Sequence, residues 1–147
     1  VPWSSGRAWR DAEVWVEYVA AGATPFEFGV GPIVCVPPRG RQVRMVWAEV
    51  ADPAGRAAAL HDALAEALAP LGFPPDERPF RPHITLARVK FAPDADGFRT
   101  AGELWAAADF GRQRAQSVTV YASELTPRGS IYTPIGRAAL GARESRK

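Results

Sequence analysis

Phe80-Arg81-Pro82-His83-Ile84-Thr85-Leu86-Ala87-Arg88 is the stretch on which the reading of this chain turns. From His83 to Lys90 it has the make-up of a β-strand. Alternate strand residues share a face, so His83 and Thr85 point one way and Ile84 and Leu86 the other. The first pair sets an imidazole, the side chain that titrates nearest neutral pH, beside a hydroxyl able to donate to a phosphate oxygen. Both suit acid–base work on a phosphodiester. Taken alone, His-x-Thr equally describes a strand with two polar residues turned to solvent.

The elements on either side define the fold class. Just upstream, Asp52-Pro53 opens a helix: Asp accepts orphan N–H bonds as a cap and Pro fits the first turn. Leu60, Leu64, Leu68 and Leu71 form its stripe, and Gly72 with Pro74-Pro75 ends it. The stripe is expected to pack on the sheet that holds His83. Earlier still, the spacing of Trp9, Ala12, Val16 and Val19 predicts a helix over Arg7–Ala21, with Gly22 at its C-terminal cap. Phe26, Phe28 and Val30 alternate as in a half-buried strand, continued by Ile33–Val36 after the Gly31-Pro32 interruption. Pro37-Pro38-Arg39-Gly40 is turn chemistry, and Val43–Val50 returns as the second strand of a hairpin.

Downstream of the quoted stretch, a Pro-, Gly- and Asp-bearing loop over Phe91–Arg99 leads to Thr100-x-x-Glu103. That is a capping-box pattern for a short helix to Ala108. Ser117–Leu125 and Ile131–Leu140 read as closing strands, Pro134 marking an edge. The order of helices and hairpins predicts an α+β fold with a mainly antiparallel or mixed sheet. It forms a single domain over 1–140, followed by a frayed polar tail over 141–147.

Composition narrows the function classes. Of 147 residues, 47% are apolar, as in a folded globule. No apolar run approaches the ~20 residues of a membrane span. The single cysteine, Cys35, rules out an internal disulfide and a multi-cysteine zinc site and is compatible with a reducing cytoplasm. The net charge is only +2, too small for a long electrostatic footprint on duplex nucleic acid but compatible with a few cations around one phosphate.

The set of motifs resembles one family. Phe80–Arg88 is very like the second histidine motif of the RNA 2′,3′-cyclic phosphodiesterases (2′-5′ RNA ligases) of the two-histidine phosphoesterase superfamily. Phe26-Glu27-Phe28, Val46-Trp47-Ala48, the Leu60–Leu71 helix with Gly72-Phe73-Pro74, Val120–Leu125 and Ile131-Tyr132-Thr133-Pro134 resemble its other elements in the same order. The resemblance covers about Ala23 to Leu140, and its specificity lies in the ordered set.

The resemblance implies a two-lobed α+β fold with antiparallel sheets, helices on the outside and one His-x-Thr/Ser motif per lobe, the two facing across a groove. One histidine takes a proton from water while the other protonates the departing ribose oxygen, and the motif hydroxyls hold the phosphate. Neither metal nor cofactor is implied. The reaction is opening of a 2′,3′-cyclic phosphate at an RNA end to a 2′-phosphate, with 2′-5′ joining as its reverse. The expected partners are RNA ends or 2′,3′-cyclic nucleotides, and the protein is expected to be a cytoplasmic monomer.

On this resemblance His83 and Thr85 are the catalytic candidates, and Arg88, Arg81 and Tyr132 the substrate-binding ones. Strict alternation puts Arg88 on the face opposite His83, unless a bulge re-aims it; otherwise it is a solvated strand-end arginine. Arg81 shares the His83 face by parity. Tyr132 matches a position near the family's groove, though a strand tyrosine also serves packing. Arg39, Arg41 and Arg44 flank the hairpin turn, where they either meet an RNA backbone or keep a sheet edge soluble. Trp9, Trp15, Trp47 and Trp105 fall at core-like positions.

A second His-x-Thr/Ser is missing: the other histidine, His61, lies on the flank of the leucine stripe and reads as packing on its own turn. The chain starts at Val1, with only eight residues before the Trp9–Val19 helix. The family's opening strand, helix and first-motif strand are therefore expected to be absent from it. Two rivals to the enzyme remain: a one-histidine relative that holds RNA ends or nucleotides without turnover, and a plain α+β interaction domain.

Overall fold

The computed structural model describes residues 6–39, 42–90 and 95–142. The frayed tail and Arg41 fall outside the described residues, apart from Gly141 and Ala142, which form a turn. The architecture is α+β. The helices are α1 (Gly6–Gly22), α2 (Arg56–Leu68) and α3 (Ala95–Leu104). The strands are β1 (Phe26–Val36), β2 (Met45–Ala51), β3 (His83–Arg88), β4 (Arg112–Ala115), β5 (Ser117–Thr126) and β6 (Gly129–Ala139). The chain divides into two compact units, the first of 1–26, 57–80 and 115–147, the second of 27–56 and 81–114.

In the first unit α1 lies against the antiparallel β5–β6 hairpin. Its buried residues Ala12, Val16 and Ala20 recur every four residues, one stripe of a 3.6-residue helix. Val16 and Ala20 meet Ala138 and Leu140, and Leu60, Leu64 and Leu68 of α2 pack onto that same cluster with Val118 and Val120. The leucine stripe thus covers the core made by α1 and the hairpin, not the sheet of His83 as its sequence position suggested. Periodicity fixes which face of a helix is apolar and leaves its partner open. A 3-10 turn, Ala69–Leu71, prolongs α2, and Gly72 ends it in the left-handed region at φ 90°, a conformation a side chain resists. Pro134 lies opposite Tyr121 in a two-stranded sheet, where each strand has a free edge.

The depth of these residues sets the cost of truncating them. Leu140 is 6% exposed, whereas Leu64 is only partly buried. Leu140→Ala is expected to lower stability by ~2–5 kcal/mol, the range for core leucines. Leu64→Ala should cost ~1–2 kcal/mol, part of the ~1.5–3 kcal/mol of full leucine burial. Denaturant midpoints check the order; a larger loss at Leu64 would contradict the placement of the core.

The second unit holds a four-stranded sheet in the order β3-β2-β1-β4, with β1–β2 and β2–β3 antiparallel. Gly31-Pro32 does not end β1; it makes a bulge between the Val30–Val50 and Ile33–Ala48 pairs. Gly31 has φ 122°, and a Cβ there would collide with the carbonyl of Ala108, so only glycine fits. β4 was not anticipated. Val30 exchanges hydrogen bonds with Phe110 and Gly111 at its approach, at 2.8 and 3.0 Å. The capping-box expectation at Thr100 also fails: Thr100 lies inside α3, and its hydroxyl donates back to the Asp96 carbonyl at 3.0 Å. Asp52 does serve the start of α2, accepting from the Arg56 N–H at 2.9 Å, though the helix opens four residues later than Asp52.

Candidate active site

Edge strand β3 carries the candidate residues, and its register on β2 decides which way they face. His83 lies opposite Glu49, Thr85 opposite Trp47, Ala87 opposite Val46 and Arg88 opposite Met45. Between Thr85 and Ala87 the strand takes two steps while β2 takes one, so Leu86 is the extra residue of a bulge. Directly opposed residues of an antiparallel pair share a face. Glu49, Trp47 and Met45 alternate on one side of β2, so His83, Thr85 and Arg88 stand on that same side. The bulge turns Arg88 from the parity-expected opposite face to the face of His83.

The imidazole is held in a defined state. Its Nδ1 donates to the Arg81 carbonyl at 2.7 Å. A carbonyl only accepts, so Nδ1 carries a proton there, and Nε2 is the ring nitrogen with no partner among the described residues. One face of the ring stacks on Trp47, with centroids 3.8 Å apart and planes 17° from parallel. Trp47 is half-buried, and its Nε1 is a buried donor with no acceptor among the described residues. Sequence reasoning set Trp47 aside as core; besides being half-buried it stacks on the His83 ring. The available signal was parity, since Trp47 and Glu49 share a face of β2, but the β2–β3 register is needed to bring that face to His83.

The two arginines differ in their surroundings. Arg81 reaches the same face, but its guanidinium donates to Glu49 and lies 5.8 Å from the centre of the Trp47 ring. Its charge is thereby offset, and its carbonyl braces His83. Arg88 has no carboxylate partner among the described residues. Tyr132 stands exposed on β6 in the first unit, opposite Ser123.

His61 is also in the first unit. Its Nδ1 is 3.0 Å from Asp62 Oδ1, and its ring stacks on Phe80 at 4.1 Å rather than on its own helical turn. Trp15 and Trp105 are exposed, against the core placement expected of them, while Trp9 meets Phe73 edge-on. Among the described residues no three His, Cys, Asp or Glu side chains gather as metal ligands, and no helix is long and apolar enough to cross a membrane.

A strand-borne histidine and hydroxyl thus share one face of β3 with an arginine that has no carboxylate partner among the described residues. Residues 49–132 match the model of the LigT like Phosphoesterase family, more than half of the chain, and the chain belongs to that family.

A protein named RNA 2′,3′-cyclic phosphodiesterase from Methanothermobacter thermautotrophicus is 36% identical over 113 residues, 76% of this chain and 59% of the relative. One of the same name from Aeropyrum pernix is 32% identical over 95 residues, 65% of this chain and 54% of the relative. The chain thus spans little more than half the length of these curated relatives. In fold it is similar to a protein from Thermus thermophilus (TM-score 0.73, 23% identity, 93% of this chain and 72% of that one). It is likewise similar to Escherichia coli LigT crystallised with 3′-AMP (TM-score 0.66, 21% identity, 92% of this chain and 70% of that one).

Proposed function

We propose that this chain supplies the His83 half of an RNA 2′,3′-cyclic phosphodiesterase. The reaction opens terminal 2′,3′-cyclic phosphates to 2′-phosphates by histidine acid–base chemistry without a metal, and 2′-5′ ligation is its reverse. The observation that carries the reading is the joint presentation, on one face of β3, of His83, the Thr85 hydroxyl and Arg88, which has no carboxylate partner among the described residues.

In the forward step water attacks phosphorus in line with the 3′-oxygen. A base takes a proton from the water, the new P–O bond forms, the P–O3′ bond breaks, and an acid protonates the departing oxygen. His83 fills one of these two roles. Thr85 donates to a non-bridging oxygen, and Arg88 balances the charge that grows on the phosphoryl group. The named relatives support this reading, as does the coincidence of the family match with β3.

The test is an RNA oligonucleotide ending in a 2′,3′-cyclic phosphate, with the product resolved as 2′- or 3′-phosphate. The expected product is the 2′-phosphate, formed at the same rate with and without a chelator; a 3′-phosphate product or chelator inhibition would refute the proposal. Thr85→Ala should slow the reaction by roughly 10- to 10²-fold, since a hydrogen bond to a charged group is worth ~1.5–3 kcal/mol.

A further inference from the structure

Where β3 leaves β2, the second unit has a depression of about 470 Å³ lined by Gln42, Val43, Arg44, Met45, Arg88, Val89 and Lys90. Three of these residues are cations and none is acidic. Among the described residues no carboxylate pairs with Arg44, Arg88 or Lys90. The walls are fixed by the sheet's last hydrogen bonds: Arg44 N–H donates to the Val36 carbonyl at 2.8 Å, and Val89 N–H to the Arg44 carbonyl at 2.8 Å. Val43, 2% exposed, anchors the floor. Arg88 belongs both to the His83 face and to this depression.

We infer that the depression binds the phosphodiester backbone of an RNA chain 5′ to its reacting end, so that the preferred substrate is an oligonucleotide rather than a mononucleotide. The inference rests on the reading of His83 and Thr85 as the phosphate half-site. From His83, opposite Glu49, to Arg88, opposite Met45, the sheet advances roughly 13 Å at ~3.3 Å per residue. A cyclic phosphate ends its strand, so only the 5′ side of the RNA continues, and its phosphates can follow the cationic edge from Arg88 to Arg44 and Lys90. A positively charged groove of this kind tracks a single strand's backbone. Its lining has no aromatic ring on which a base would stack. Recognition there depends on length and charge, not on base sequence.

The experiment measures binding, which does not depend on turnover. A fluorescent RNA hexamer ending in a 2′-phosphate and a nucleoside 2′-phosphate are titrated against the chain over a range of salt concentrations. The hexamer should bind more tightly, with a steeper salt dependence, and oligo-U and oligo-A hexamers should bind alike. Each phosphate neutralised on a single strand adds ~0.7 to the log–log slope. Arg44→Ala with Lys90→Ala should lower the hexamer slope by ~1.4 and erase its advantage over the mononucleotide. Arg44→Lys with Lys90→Arg should keep both.

Equal wild-type affinity for the two ligands, or a full slope in the double alanine variant, overturns the inference and leaves the half-site reading standing. Binding of neither ligand by the wild-type chain overturns both. Circular dichroism of the double variant, both positions being exposed, should match the wild type.

Discussion

His83→Ala is expected to remove the cyclic phosphodiesterase activity of a form carrying both halves of the site, lowering kcat by ~10²–10⁴-fold, the contribution of a positioned acid or base. The fold should survive. His83 is exposed on an edge strand, and what the substitution takes from the structure is its stack on Trp47 and one local hydrogen bond. An aromatic stack is worth ~0.5–1.5 kcal/mol, small beside the ~5–15 kcal/mol that holds a domain together. The kinetic loss is therefore separable from unfolding, and imidazole added to the buffer should restore part of the rate by entering the space the ring leaves. Wild-type kcat in the variant, or a loss matched by a collapse of the denaturation midpoint, would remove His83 from the mechanism.

Much of this site was legible in the sequence because strand parity is a strong rule. Alternation alone puts His83 and Thr85 on one face. Arg88 was legible only as a choice between two faces. The bulge at Leu86 settles it, and a bulge is a property of the pairing with β2, which no local pattern in β3 records. Trp47 was misread for a related reason. An aromatic residue inside an apolar strand looks like core, and here it is half core and half support for the His83 ring.

The missed strand β4, Arg-Gln-Arg-Ala, carries no apolar alternation; β1 makes it a strand by offering an edge. Thr100 was read as a cap because Thr-x-x-Glu fits one, but the residues before it already continue a helix. The leucine stripe of α2 was correct as a stripe and wrong about its partner, since a contact between distant segments is decided by topology.

Residues 1–147 by themselves should open cyclic phosphates slowly, by a further ~10²–10⁴-fold relative to a form that adds a second His-x-Thr or His-x-Ser strand, the same magnitude as losing one acid or base. The step moves two protons at opposite sides of phosphorus, one off the water and one onto the leaving oxygen. His83 Nε2 can take or give one proton in a single step, not both. The chain has one other imidazole, that of His61, and its Nδ1 is met by Asp62 while its ring is stacked on Phe80. It lies on a helix, with no hydroxyl two residues on to hold a phosphate oxygen, since Ala63 occupies that position. His61→Ala is accordingly expected to leave the slow rate of the 147-residue chain unchanged, while the 2′-phosphate product still binds through Thr85 and Arg88. Single-turnover rates of the chain, its His61 variant and a two-motif form decide the matter. Equal rates from the one-motif and two-motif forms would show that one histidine suffices. A fall in the His61 variant would assign the second proton to that residue.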